Sequence, residues 1–448
     1  MPDQRRLPIP FRTGLAGLIS LALAFAGPGA RAQDRGAAAL PERDSRADDA
    51  REFRATALRD LKESGAFQML KPTRASASGT SSFEFRPIAG ADLMLRLVSH
   101  SLARGKLLID SECINLATGA VVLQKSFLGQ TAAVDRMAHR MVDYLVGKVT
   151  GTPGVADSTF VFARETAPGI KEIFEMDRDG HNQRQRTAYG SLTLHPAVAG
   201  DGKLAFVTYK GGPPQIWGQV QPEGPCQLLF PKDGQAGMEL SGLAWSPDGQ
   251  RLGFVQGTRK GLADIQLLDL RSNRVAQLTP VGHTSRSPSW SPDGAAIAYL
   301  SDRDGVPQVF LMASDGSRVR QLTSDPAPKA CVAWSAKGDR IAYGARAGGK
   351  SDLFTIAPDG TGAQKLLSTP EPVEALCWAP DGRSLLLGST AGGNGRLRIV
   401  ALNGTVQALG AGLDGRQFPQ WIQNSARTPA GPSSHYPVPA VLGPNMLP

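Results

Sequence analysis

Between residues 288 and 323 three short apolar, alternating runs follow one another, at 297–300, 309–312 and 319–322, each preceded by a Gly-containing turn signal. Alternation over a few residues marks half-buried strands, and Gly-bearing turns between them mark antiparallel hairpins. A short strand around Trp290 leads in, which makes four strands per unit. The unit recurs. Signals of the Trp-Ser-Pro-Asp-Gly type stand at Trp245, Trp290, Trp334 and Trp378, at steps of 45, 44 and 44 residues, a period that belongs to a four-stranded propeller blade.

Taking Trp290 as anchor, equivalent positions fall at Val198, Trp245, Trp334, Trp378 and Trp421. A blade-ending strand also recurs six times, at 185–187, 227–229, 277–279, 321–323, 365–367 and 407–409. Six of each predicts six blades. The first blade-ending strand closes a blade, 159–187, that has no inner strand before it, whereas Trp421 begins an inner strand with no blade after it. Pairing the two closes the ring and removes the free sheet edges that invite aggregation.

Upstream the period changes. From Asp49, Phe53, Ala57, Leu58 and Leu61 form a helical stripe that Gly65 ends. A strand is expected at 67–70, a loop at 73–82, and strands at 91–98, 106–116 and 120–127. A second helix is expected over 131–146, with Val134, Met137, Ala138, Met141, Val142 and Leu145 on its apolar stripe and Gly147 at its end. The predicted fold class is therefore mainly β: a six-bladed β-propeller at 158–424 preceded by a small α/β domain at 49–150, its helices on one face of the sheet. Residues 33–48 read as a mobile lead-in, and 425–448, with six Pro, as a disordered tail.

Composition supports this division: 51 Gly, 33 Pro and 20% charged residues in 448 suit a turn-rich β protein. Arg5, Arg6 and Arg12 precede the apolar run 15–26 and the small-residue site at Ala30 and Ala32, the pattern of a cleaved export signal over 1–32. The expected product is exported, monomeric and without a membrane span. Residues 1–32 carry four Arg and one Asp, which reduces the formal +9 of the chain to +6 after cleavage. The remaining basic residues are scattered without aromatic interleaving, which speaks against a nucleic-acid partner.

The chemistry-bearing residues give no catalytic constellation. No Gly-x-Ser-x-Gly elbow occurs, and no two of His100, His139, His181, His195, His283 and His435 have metal-ligand spacing. The stretches 302–305 and 177–180 hold Asp and Gly like calcium loops, but they lack the full ligand register and read as hairpin turns. The repeated Trp residues read as inter-blade packing, with a carbohydrate-stacking row as the alternative. Cys113, Cys226, Cys331 and Cys377 have no metal spacing; burial is the leading reading, a Cys331–Cys377 bridge the alternative. No enzyme, cofactor or metal is expected.

The repeated Pro-x-Trp-Ser-Pro-Asp-Gly units, the stretch 174–182 (Phe-Glu-Met-Asp-Arg-Asp-Gly-His-Asn), and residues 138–143 (Ala-His-Arg-Met-Val-Asp) through Thr150 and Gly151 resemble the TolB family of the Tol-Pal envelope system, over about residues 50–424. The resemblance implies a scaffold supporting outer-membrane integrity and division, whose propeller rim binds the peptidoglycan-associated lipoprotein Pal. Matched position by position, it places that contact on Met238, Glu239, Ser241 and Gly242, and on His283, Thr284, Arg286 and Ser287. Glu239 replaces the family's His, Gly242 its usual Ala, and Arg286 a Thr. The family's apolar N-terminal segment, which engages TolA of the inner membrane, has no counterpart in the polar residues 33–50. A paralogue binding another envelope protein or a glycan, and a propeller hydrolase, are the alternatives.

Overall fold

A computed structural model describes residues 45–424, apart from 73–79, 88–91, 232–238, 258–260, 392–393 and 410–415. The expected leader, residues 33–44 of the lead-in, the tail 425–448 and Met238 lie outside the described residues. From Arg46 onward the described residues form one compact unit.

The helical spacing of Phe53, Ala57 and Leu61 builds α1 (Ser45–Glu63), and all three side chains are fully buried. The helix starts four residues before Asp49, so residues 45–48 of the expected lead-in are helical. Asp48, in the first turn, favours that start by facing the positive end of the helix dipole, and it pairs with Arg51 at 3.1 Å. Five antiparallel strands follow in sequential order: β1 (Phe67–Pro72), β2 (Thr80–Pro87), β3 (Leu93–Leu102), β4 (Lys106–Asn115) and β5 (Val121–Gln130). Strand β2 cuts short the loop expected over 73–82. Its register sets Phe83 opposite Leu95 and Phe85 opposite Leu93.

Helix α2 (Val134–Thr150) buries every residue of its predicted stripe against α1 and the sheet. It passes through Gly147 rather than ending there, and stops at the left-handed Gly151 (φ 72°). A helix-interior Gly costs only about 1 kcal/mol, and the extra turn packs Val149 against the same core.

The rest of the described chain forms six four-stranded antiparallel sheets. Blade 1 comprises Thr193–Val198, Leu204–Thr208, Gln215–Gly218 and Gln227–Phe230. The inner strands of blades 2 to 5 are Leu240–Trp245, Ser285–Trp290, Lys329–Trp334 and Val373–Trp378. Blade 6 pairs Arg416–Gln423 with Ser158–Ala167, followed by Ile170–Asp177 and Arg184–Gln185. The ring closes as the offset of the two counts predicts.

Apolar clusters fill the spaces between blades, joining Trp245 with Ala197 and Trp378 with Ala333. Trp245, Trp290 and Trp378 each donate Nε1–H to a backbone carbonyl of the preceding inner strand, at 3.2 Å to Ala197, 3.2 Å to Ala244 and 3.0 Å to Ala333. These rings are packing elements. Cys331 and Cys377 are free thiols, and burial pushes both up to about 12.

Candidate functional site

Each inner strand begins at one mouth of the central channel and ends at the other, where the Trp anchors stand. The resemblance-derived site falls at the beginning, on blades 2 and 3. Glu239 is exposed just before the inner strand of blade 2, on which Ser241 and Gly242 are half-buried. Exposed His283 and half-buried Thr284 precede the inner strand of blade 3, which carries exposed Arg286 and half-buried Ser287.

Both inner strands bulge at the same point. The register against the second strand shifts between Ser241 and Ala244 and between Arg286 and Ser289, and the chain turns left-handed at Gly242 (φ 56°) and Ser287 (φ 54°). A bulge re-aims side chains and is over-represented next to functional sites. A methyl at Gly242 would meet Val255 Cγ2 at 2.9 Å and Pro288 Cδ at 3.3 Å, so glycine answers both the backbone and the space. Sites on blades 2 and 3 are thereby neighbours.

The blade 3 loop is held from below. Thr284 N–H donates to Asp302 Oδ1 at 2.7 Å, and Asp302 N–H donates to the Thr284 carbonyl at 3.2 Å. The Asp302 turn, positioned by Gly305 (φ 110°), therefore supports the loop. Its neighbour Arg303 donates to Tyr299 Oη at 3.0 Å and lies over the Phe310 ring at 5.0 Å. Sequence reasoning missed this second layer, because nothing in the local pattern pairs residue 284 with residue 302.

It missed His195 as well. His195 (φ 51°) and Phe418 (φ 54°) hold the equivalent left-handed positions on blades 1 and 6, and their rings pack 3.9 Å apart. Burial lowers the His195 pKa to about 4, so the ring is neutral at physiological pH. The signal available was the shared offset: 195, 242, 287 and 418 each stand three residues before an anchor position, Val198, Trp245, Trp290 and Trp421.

A buried charged cluster lies where α1, α2 and the turn after Asp177 meet. His139 Nδ1 is 2.6 Å from Asp60 Oδ2 and Nε2 is 3.3 Å from Asp179 Oδ2. Arg59 reaches Asp179 at 3.2 Å, and Arg178 reaches Glu63 at 2.9 Å. Burial alone would lower the His139 pKa, but the hydrogen bonds and charges of Asp179 and Asp60 outweigh it and raise it to about 10. Burial pulls Asp179 upward, yet its bonds from His139 and from the His181 backbone hold it well below the usual carboxylate range. An imidazolium with a carboxylate on each nitrogen cannot serve as a general base at neutral pH. Among the described residues no group of three or more His, Cys, Asp and Glu is arranged to hold a metal ion, and no helix is long and apolar enough to cross a membrane.

At the Trp ends of the inner strands the channel opens into a cavity of about 500 Å³, edged by Trp245, Trp290, Trp334, Trp378 and Trp421.

The sequence model of a family described as the TolB beta propeller domain matches residues 146–425. The chain is 29% identical over 257 residues to a protein TolB homolog of Chlorobium chlorochromatii, covering 55% of this chain and 56% of that one. It is 32% identical over 148 residues to the Tol-Pal system protein TolB of Geobacter metallireducens, covering 32% and 34%. These alignments span about half the length of the curated relatives or less. The crystal structure of TolB from Acinetobacter baumannii superposes with a TM-score of 0.68 at 20% identity, covering 83% of this chain and 93% of that chain, a likeness of fold.

Proposed function

The chain belongs to the TolB beta propeller family, and from that premise we propose that it is a non-enzymatic periplasmic scaffold of the Tol-Pal envelope system. Its ligand is a Pal-like, peptidoglycan-associated lipoprotein held on the rim of blades 2 and 3, and its role is to support outer-membrane integrity and constriction at division. The observation that carries this reading is the pair of matched bulges at Gly242 and Ser287. They follow directly on Glu239, Ser241, His283 and Arg286 at one channel mouth, with Thr284 braced by Asp302. A rim of polar side chains, with Glu239 and His283 exposed just before two inner strands and Arg286 exposed on one of them, suits a protein loop better than a small apolar ligand. Met238, outside the described residues, belongs to the same proposed loop. The division into an N-terminal part at 49–150 and a propeller at 158–424 is part of the proposal, with the charged cluster around His139 joining the two.

Calorimetric titration of residues 33–448 with the soluble domain of the organism's Pal-like lipoprotein tests the reading. Saturable one-to-one binding is expected. Arg286→Glu should weaken it by about tenfold or more, since reversing an interfacial charge costs at least about 1.4 kcal/mol; the melting temperature should stay nearly unchanged, because Arg286 is exposed. Absence of binding at high micromolar concentration would overturn the Pal assignment. The replacements at Glu239 and Arg286 would then favour the second reading, a paralogue whose rim takes another envelope protein or a glycan.

A further inference from the structure

We propose that the outward side of α2, with the adjoining edge strand β5, is a docking surface for the phosphate headgroups of an anionic lipid bilayer. The inference is independent of what the channel rim binds.

The basic residues scatter along the sequence, and the fold gathers four of them. Arg136, Arg140 and Lys148 stand at multiples of four residues along α2, a spacing that keeps them on one side of a helix, and all three are exposed. Tyr144 fills the gap in the series and is half-buried. Exposed Lys125 reaches in from β5, its Nζ 3.8 Å from the centre of the Tyr144 ring, with the Lys148 Nζ 5.6 Å from the same ring. At 1.5 Å per residue the row from Arg136 to Lys148 runs about 18 Å.

The carboxylates nearby are turned to other tasks. Those of α2 are Asp135, which accepts from Thr56 Oγ1 of α1 at 2.5 Å, and Asp143, which accepts from the N–H groups of Ala156 and Asp157 at 2.7 and 2.8 Å. On β4, Asp110 belongs to the opposite face of the sheet, where it meets Ser126 Oγ at 2.5 Å and His100 at 3.1 Å. Among the described residues the row meets one carboxylate, Asp157, 3.5 Å from Arg136 and 3.0 Å from Arg140. Four cations against one anion leave the surface basic, and the positive charge is least compensated at Lys125 and Lys148.

Two further features favour a bilayer over an acidic protein chain. Phe127 and Tyr144, rings 6.4 Å apart and edge to face, sit among the cations, and Tyr, with an apolar body and a polar tip, is enriched at the lipid–water boundary. On the same edge strand Val121, Val122 and Leu128 are 52%, 43% and 60% exposed, apolar surface that the boundary between headgroups and acyl chains can cover. A lysine on an edge strand also guards against strand pairing, but that role does not call for three cations on α2. Each Lys or Arg held at an anionic surface raises partitioning about fivefold and acts only within a Debye length. The four together give a weak, reversible and salt-sensitive attachment.

Co-sedimentation of residues 33–448 with lipid vesicles tests the proposal. Vesicles of phosphatidylglycerol and phosphatidylcholine in equal parts should carry the native chain down at low salt, vesicles of phosphatidylcholine alone should not, and high salt should release it. Lys125→Gln with Lys148→Gln should lower the partition coefficient by about twentyfold, with the melting temperature nearly unchanged. Arg274→Gln with Lys350→Gln removes the same charge from exposed propeller positions and should lower it by less than about twofold, since charges beyond a Debye length of the bilayer are screened. Equal losses in the two double variants, or no sedimentation of the native chain with the anionic vesicles, would overturn the proposal. Binding to polyglutamate without binding to vesicles would overturn it in favour of an acidic protein partner.

Discussion

Both ring nitrogens of His139 face carboxylates that come from different parts of the chain, Asp60 on α1 and Asp179 in the first turn of the propeller. Removing one partner of a buried hydrogen-bonded charge costs about 1–3 kcal/mol, so Asp179→Asn, which leaves His139 its Asp60 partner and takes one anion from Arg59, should lower stability by about that much. The pH dependence has a definite sign. His139, raised to about 10, contributes stability that is full below its unfolded value near 6.5 and lost as pH rises through about 10. Asp179, depressed, contributes stability that is present above the ordinary carboxylate range and lost as pH falls through and below it. Urea unfolding of the native chain and Asp179→Asn should show the widest gap at about pH 4–6.5, narrowing to little above about pH 10. A gap that stays constant to pH 11 would rule out this network as its source. None of this was legible beforehand. Asp179 reads locally as a turn residue, which it also is, and its partner stands 40 positions earlier on another element.

At the scale of elements, the inner strands repeat a sequence but do not repeat one bond. Trp378 ties its blade to the previous one through the Ala333 carbonyl. Trp334 instead donates to Gly338 of its own blade at 3.3 Å, and its backbone N–H is bound by Ser289 Oγ at 2.9 Å. Replacing Trp378 by Phe removes this buried inter-blade bond, while the Ala333 carbonyl keeps its place in the ladder opposite Ala342, and should cost up to about 1.5 kcal/mol. Trp334→Phe, at a half-buried ring, should cost less than about 1 kcal/mol. Guanidinium unfolding of the two variants separates them, and equal losses would contradict the inter-blade tie. The elements most legible in the sequence were those with long or repeated periods: all blade anchors, and the α2 stripe from Val134 to Leu145. Strand β2 escaped because only Phe83 and Phe85 alternate, within a run rich in Ser and Thr. The end of α2 was misplaced because a local breaker, Gly147, yields to packing that continues beyond it. At the rim, Gly242 and Ser287 were singled out by the family resemblance, whereas the bulges that shape them arise from cross-strand register, which a single strand's pattern does not carry.

Over the whole molecule, stability hangs on one closing strand contributed by the far end of the chain. Arg416–Gln423 pairs with Ser158–Ala167, and the ring of Trp421 packs edge-on to Phe160 with centroids 5.0 Å apart while its Nε1 donates to Ser158 Oγ at 2.7 Å. Trp421 is only 6% exposed, and removing a buried Trp side chain costs about 3–5 kcal/mol. Ending the chain after Leu409 removes this strand entirely, uncovers the apolar Phe160 and Phe162 of blade 6, and leaves the long strand Ser158–Ala167 as an open edge. Ending it after Asn424 keeps every one of these bonds. Size-exclusion chromatography and thermal unfolding should therefore show a monomer with a near-native melting temperature for the chain ending at Asn424, and aggregation or loss of cooperative unfolding for the chain ending at Leu409. Trp421→Ala should fall between them, monomeric but melting lower. A stable monomer ending at Leu409 would mean that blade 6 stands on three strands and that closure is not what holds the ring together. The blades on either side supply the reason to expect otherwise: Ala379, Leu386, Leu397 and Ile399 of blade 5 pack in one cluster with Trp421 and Phe160, so the strand that closes the ring is also the wall against which blade 5 is built.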